Sequence, residues 1–219
     1  MATRQVLSAL AAQWQKDTDI QVNIESVGGV DALKRVQAGE SFDGVVLASD
    51  TIDKLLASGH AVAGSRVDLV RSSVAVAVKT GALLPDISTE AALRRAVGTA
   101  PSIGYSTGPS GVALLKLLER WGILDALRPR IVQAPAGVPV GELVARGDVA
   151  MGFQQLSELM CLQGIVVVGL LPAAVAITTI FSAAACATTP ERETLSRLFT
   201  AMAASDTASV KQRFGMQPA

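Results

Sequence analysis

The sequence predicts an α/β protein with mostly parallel sheets flanked by helices. Three observations carry that reading. Short apolar runs rich in Val, Ile and Ala alternate with helical patterns along almost all of the 219 residues. The run at 72–78 is too long and too apolar for a surface element, as expected of a strand covered on both faces. The turns that join runs to helices are built from Gly, Ser, Thr and Pro, most densely at 103–111.

Residues 3–16 read as an amphipathic helix with Val6, Leu7, Leu10, Ala11 and Trp14 on one face. A Thr18-Asp19 turn precedes an alternating strand at 20–24. After a loop at 27–30, Asp31 opens a helix over 32–38 that stops at Gly39. Residues 42–48 form a buried strand, and Ser49-Asp50 caps a helix over 51–57 that closes at Gly59. The long β-rich run falls within 67–79, and Ser88-Thr89-Glu90 opens a helix over 91–96 by capping chemistry.

The stretch at 103–122 organises the rest. Ile103-Gly104-Tyr105 enters a loop, Ser106-Thr107-Gly108-Pro109-Ser110-Gly111, and an amphipathic helix leaves it and ends at Gly122. Gly108 and Gly111 permit a tight turn and close approach of the backbone to a ligand. The hydroxyls of Ser106, Thr107 and Ser110 stand beside the first N–H groups of a helix, a combination suited to an anion. The same residues equally fit an ordinary strand-to-helix turn with Ser110 as N-cap.

A short strand at 131–133, a helix within 137–146 ending at Gly147 and a strand at 149–153 follow, the last running into Gln154-Gln155-Leu156-Ser157-Glu158-Leu159. The most apolar stretch, 164–187, reads as two buried strands around Pro172. Gly164, Gly169, Thr178, Thr179 and Ser182 interrupt it too often for a membrane span. Helices at 191–204 and 210–214 close the chain.

Nineteen basic and nineteen acidic side chains leave no net charge, so no basic footprint marks nucleic acid as a partner. Cys161 and Cys186 sit among apolar or small residues and read as two buried thiols, with a disulfide as the other option. His60 is the only histidine, read as an exposed turn residue. With no Cys/His cluster, neither a metal site nor a cofactor is expected. The loops at the predicted C-terminal ends of strands, 27–31, 49–50, 106–111 and 154–155, hold small polar groups and few acid–base types. That content suits binding better than bond-breaking.

The order of these elements resembles the molybdate-binding type of bacterial periplasmic solute-binding protein over essentially the whole chain. So do the 106–111 loop with its helix, the run Gly141-Glu142-Leu143-Val144-Ala145-Arg146-Gly147-Asp148-Val149-Ala150-Met151-Gly152, and the ending Ile177-Thr178-Thr179-Ile180-Phe181-Ser182-Ala183-Ala184. The resemblance implies a type 2 periplasmic-binding fold, with lobe one at 1–71 plus 172–219 and lobe two at 72–171. It implies hinge crossovers near 69–73 and 168–178 and a small anionic ligand in the cleft between the lobes. It also implies a periplasmic location, delivery of the ligand to the membrane permease of an ABC-type system, and no direct insertion into the membrane. Met1-Ala2-Thr3-Arg4 runs straight into a helix pattern without a secretory signal, so a cytoplasmic location is the alternative. Members of the family begin with a strand of lobe one that is missing here, and the expectation is a gap in that sheet and a dimer by strand exchange.

By the same resemblance, the ligand-binding positions are Gly28 and Gly29 in lobe one, Ser106, Thr107, Ser110 and Gly111 in lobe two, and Gln154 and Gln155 in the last cleft loop. Molybdate-binding members use serine hydroxyls and backbone N–H groups from both lobes, with a tyrosine in that last loop. This chain carries Gly28-Gly29-Val30, with Ser26 upstream, and Gln155 in place of the tyrosine. Amide and hydroxyl donors suit a small organic acid as well as a tetrahedral oxyanion. Divergent members resembling aconitate isomerase supply the alternative function, moving a double bond in an unsaturated tricarboxylate. That chemistry needs an acid–base group and carboxylate partners. Arg4 and Arg71, with Arg66, are the carboxylate candidates. Glu158 and Asp50 are candidate bases, set against plain roles as a helix-surface acid and an N-cap, and Tyr105 reads as a packing residue. A regulator's effector domain shares the fold but needs a DNA-binding segment, and none is visible.

Overall fold

Alternating elements gather their apolar faces into two α/β units. The computed structural model describes residues 2–219. In chain order the helices are α1 (Arg4–Thr18), α2 (Gly29–Gln37), α3 (Ser49–Ala57), α4 (Glu90–Thr99), α5 (Pro109–Arg120), α6 (Leu124–Leu127), α7 (Val140–Arg146), α8 (Leu156–Leu159), α9 (Arg192–Ala203) and α10 (Ala208–Arg213). The strands are β1 (Gly44–Ala48), β2 (Val67–Lys79), β3 (Ile103–Tyr105), β4 (Ile131–Gln133), β5 (Met151–Gln155), β6 (Ile165–Leu170), β7 (Thr178–Ala185) and β8 (Met216–Pro218). One unit is Met1–Ser72 with Thr179–Ala219, and the other is Ser73–Thr178.

In the first unit β7 lies between β1 and the first half of β2, antiparallel to β1, and β8 pairs antiparallel with β2. Alternation along β7 divides the packing between two faces. Ala183 and Ala185 join the cluster formed by Val6, Leu10, Leu69, Phe199 and Met202, which α1 and α9 cover. Ala184 joins the cluster of Val36, Val45, Ile52 and Leu55, which α2 and α3 cover. Side chains this small let helices approach a sheet on both sides.

In the second unit β3 pairs in parallel with β4 and with β5, while the second half of β2 is antiparallel to β5 and β6. One face buries Val74, Val76, Ile103, Met151 and Phe153 against Leu93 and Val97 of α4 and Leu114 and Leu118 of α5. The other face receives α7. A Cβ at Gly152 would sit within contact distance of Val144 and Val140, so the absence of one is what lets that helix lie close.

The α/β architecture with flanking helices is the expected one, but the pairing is mixed rather than mostly parallel. The βαβ-type connections among β3, β4 and β5 put strands side by side in the same direction, whereas β1 with β7, and β2 with β5, β6 and β8, pair antiparallel. The strand expected at 20–24 is absent. That segment is irregular, Ile24 is exposed, and Val22 N–H donates to the Gln15 side chain at 2.7 Å. β1 pairs with β7 alone among the described residues, so no ladder reaches this alternating sequence, and alternation without a neighbour does not make a strand.

Helix starts also shift. α5 begins at Pro109 with Gly108 as N-cap, because proline is pre-set for the first helical position and needs no N–H partner there; Ser110 is inside the helix. α3 takes Ala48 as N-cap, which places Ser49 and Asp50 in its first turn. At α4 the expected cap forms, Thr89 Oγ1 accepting from Ala92 N–H at 3.1 Å. β6 is half-buried rather than fully buried, and no disulfide joins the two cysteines, Cys161 being exposed and Cys186 buried. His60 is half-buried, with Nδ1 2.9 Å from Ser58 Oγ. No helix among the described residues is long and apolar enough to cross a membrane.

Candidate functional site

The parallel register of β3, β4 and β5 sets Ile103 beside both Ile131 and Met151, so the C-terminal ends of the three strands share one edge of the second unit. From this edge Ser106 leaves β3, Ala134 leaves β4 with its N–H on Tyr105 O at 2.8 Å, and Gln155 ends β5. The helices that follow, α5, α7 and α8, start at Pro109, Val140 and Leu156. Such an edge collects helix N-termini, and in open α/β sheets it is where ligands bind.

The 106–111 loop brings Ser106 Oγ and Ser110 Oγ to 2.9 Å. Ser110 is only 4 % exposed, whereas Thr107 is exposed. The N–H groups of Gly111 and Val112 both turn to Gly108 O, at 3.0 and 3.3 Å. Pro109 has no N–H, so at the start of α5 the amides of Gly108 and Ser110 are the ones that precede the first intrahelical bonds. Gly111 contributes by its missing side chain: a Cβ would overlap the Ser106 carbonyl oxygen, so the tight closure of loop on helix requires glycine. Tyr105 is half-buried and packs on the core of this unit.

Gln154 and Gln155 are 2 % and 3 % exposed and point to opposite faces of β5. Gln154 Oε1 accepts the Gly141 N–H in the first turn of α7 at 3.3 Å, and its side chain also bonds to Glu158. Burial pushes the Glu158 carboxyl above the usual carboxylate range, and the bond from Gln154 partly offsets this. Gln155 is the N-cap of α8. Sequence reasoning missed Gly141 and the pairing of Gln154 with Glu158. Pro139, a helix-entry residue, signals where α7 begins, but nothing local reveals that a buried amide joins two elements.

In the first unit Gly28 is the N-cap of α2, its carbonyl accepting from Ala32 N–H at 2.9 Å. Gly29 is exposed in the first turn, together with Asp31. Arg4 is exposed at the start of α1. Arg71 Nε donates to Pro218 O at 2.9 Å and fastens β8 to β2. Arg66 is held by Asp53 and Asp68, and Asp68 also accepts from Ser182 Oγ at 2.6 Å. The structure therefore gives Arg66 and Arg71 structural partners. Among the described residues no three His, Cys, Asp or Glu side chains gather as a metal-ligand set.

Two α/β units linked by strands that cross twice, with hydroxyl and N–H donors at a strand edge, define a ligand-binding class of protein. The family model for bacterial extracellular solute-binding proteins matches residues 1–217, and the chain belongs to that family. It is 35% identical over 215 residues to the aconitate isomerase of a Pseudomonas species, covering 95% of this chain and 82% of that one. It is 29% identical over 153 residues to the molybdate-binding protein ModA of Azotobacter vinelandii, 68% of this chain and 60% of that one. The solved periplasmic molybdate-binding protein of Azotobacter vinelandii superposes with a TM-score of 0.80 at 21% identity, over 98% of this chain and 95% of that one, and shares the fold.

Proposed function

We propose that this protein binds a small anion, an oxyanion or an organic carboxylate, for an ABC-type uptake system. The carrying observation is the 106–111 turn. It offers two hydroxyls 2.9 Å apart and two backbone amides at a helix N-terminus, and it contains no charged residue. Neutral donors fixed by the fold bind an anion without reorganising. Gly28 and Gly29, at the start of α2 in the first unit, are a second donor set of the same kind. Presentation of the ligand to a membrane permease, a periplasmic location, and hinge bending where the chain crosses between units at 72–73 and 178–179 follow from this reading. A dimer by strand exchange at the single-sided edge of β1 belongs to it as well. Size-exclusion chromatography that returns a clean monomer overturns that part.

The test is a thermal-shift series with molybdate, tungstate, sulfate, citrate, and cis- and trans-aconitate. A ligand at about 100 times its Kd stabilises the native state by about 2.7 kcal/mol. A rise in Tm with any of them that is lost in Ser110→Ala supports the reading; silence from all six, or a rise that ignores the substitution, overturns it. The 35% identity to an aconitate isomerase favours a second reading, in which the same site moves a double bond in an unsaturated tricarboxylate.

A further inference from the structure

A cavity of about 480 Å³ opens in the second unit where the start of α4 meets the end of α5, lined by Glu90, Ala91, Arg94, Arg95 and Trp121. At about 1.5 Å per residue, the 12 residues of α5 put roughly 18 Å between this place and the 106–111 turn. Two hydrogen bonds build its walls. Trp121 Nε1 donates to Glu90 Oε1 at 2.7 Å, and Arg94 Nη2 donates to Trp121 O at 2.8 Å. Trp121 is 7 % exposed and packs in the core of the unit, so both bonds are anchored. Arg120 stands 3.7 Å from the same Glu90 oxygen. The carboxylate of the lining is thereby matched by a cation and an indole N–H. The two arginines of the lining are not matched. Arg94 spends one N–H on a neutral carbonyl and keeps the rest of its fork. The Arg95 guanidinium has no hydrogen bond and no ion pair among the described residues, and Asp86, itself held by Ser88, is the acid that senses its charge. Two positive charges on adjacent residues therefore face one cavity, in a chain with no net charge.

We propose that this cavity is a second binding site, for a ligand that carries a phosphate group, independent of the reading of the 106–111 turn. A guanidinium fork matches phosphate oxygens in pairs, and two forks side by side call for concentrated negative charge. A phosphate monoester carries about −1.5 to −2 at pH 7 on one tetrahedral head, enough to balance both arginines. A single carboxylate brings one charge and leaves the other arginine unmet. The bond to Trp121 O holds Arg94 in place before a ligand arrives, so little side-chain freedom is lost there on binding. The cavity has room beyond the head, and Ala91 and the Trp121 indole give it an apolar wall. An organic group esterified to the phosphate would lie on that wall; inorganic phosphate offers the same head without it.

The experiment follows the indole N–H signals of the full chain by proton–nitrogen correlation NMR at about pH 7.5, where the phosphate head is dianionic. Trp14→Phe identifies which of the two signals belongs to Trp121. The readout is local, so binding here and binding at the 106–111 turn are told apart. Phenyl phosphate and inorganic phosphate are titrated separately, each against sodium chloride at matched ionic strength. The Trp121 signal is expected to move saturably with phenyl phosphate, while that of Trp14, in the first unit, stays. Arg95→Gln removes a guanidinium that holds nothing in the fold and should weaken binding about tenfold. Arg146→Gln takes one positive charge from α7, on the opposite face of the sheet, and should bind as the wild type does. Tighter binding of phenyl phosphate than of phosphate supports an ester as the ligand, and equal affinities support inorganic phosphate. No movement of the Trp121 signal, a movement that chloride reproduces, or an Arg95→Gln affinity within twofold of the wild type overturns the site.

Discussion

Replacing Gly111 by alanine adds one methyl group where the structure leaves no room. Its Cβ would overlap the Ser106 carbonyl oxygen and press on Cδ2 of Tyr105 at 3.0 Å, so the backbone of the turn must move. Forced overpacking costs about 1–3 kcal/mol, and at roughly 2–4 °C per kcal/mol for a chain of this size a 2 kcal/mol loss lowers Tm by about 4–8 °C. The same substitution at Gly98, near the end of α4, meets nothing within 4 Å and should stabilise the helix by about 0.5–1 kcal/mol. The ligand response separates loop damage from general damage. At 100 times Kd the wild type gains about 2.7 kcal/mol, and a 100-fold loss of affinity in Gly111→Ala leaves about 0.4 kcal/mol. Differential scanning fluorimetry of the three proteins, with and without the ligand found in the anion series, reads all of these quantities. Equal Tm and equal ligand shifts in Gly111→Ala and Gly98→Ala would refute the argument that the turn is closed by direct backbone contact.

Three more outcomes are expected. Lys211 is 0 % exposed and its Nζ has no hydrogen-bond partner among the described residues, so burial lowers its proton affinity while Asp206 partly opposes this. Between the lowered folded value and the ordinary lysine value the unfolded chain binds more protons, so wild-type stability rises with pH there. Lys211→Met should be about 1–3 kcal/mol more stable near pH 7, with the gap closing toward pH 10; urea unfolding that shows Met the less stable would reveal a partnered ammonium. Glu158 has the opposite sign. Its raised folded value makes the native state bind more protons, so its contribution is most favourable below the ordinary carboxylate value and is lost as pH climbs through the folded one. Glu158→Gln should therefore raise Tm at pH 7–8 and converge with the wild type near pH 4, and a constant offset across pH would count against the burial effect. Finally, Cys161 should be alkylated in the native protein, whereas Cys186, buried and pushed up to about 11 by burial and by Asp43, should react only on unfolding, as mass spectrometry of native and urea-treated samples will show.

The sequence alone determined the class of fold and most of its elements, because these rest on local physics. The apolar period marks α1, with Val6, Leu7, Leu10 and Ala11 on its buried face, and the Thr89 hydroxyl marks the start of α4. The Ser-Gly-Pro turn at 106–111 was legible as a tight strand-to-helix turn for the same reason, since its residues act through their own backbone and nearest neighbours. Tertiary structure decided the rest. Alternation at 20–24 promised a strand, but a strand exists only when a neighbour supplies its hydrogen bonds, and none among the described residues does. Arg66 and Arg71 were open to a ligand in the sequence, and ion pairs with Asp53 and Asp68 and a bond to Pro218 occupy them in the fold. Packing of α7 on the sheet also joined Gly141 to Gln154. An amide in β5 and a backbone N–H in α7, 13 residues apart, meet in the fold, a contact that no spacing along the chain encodes.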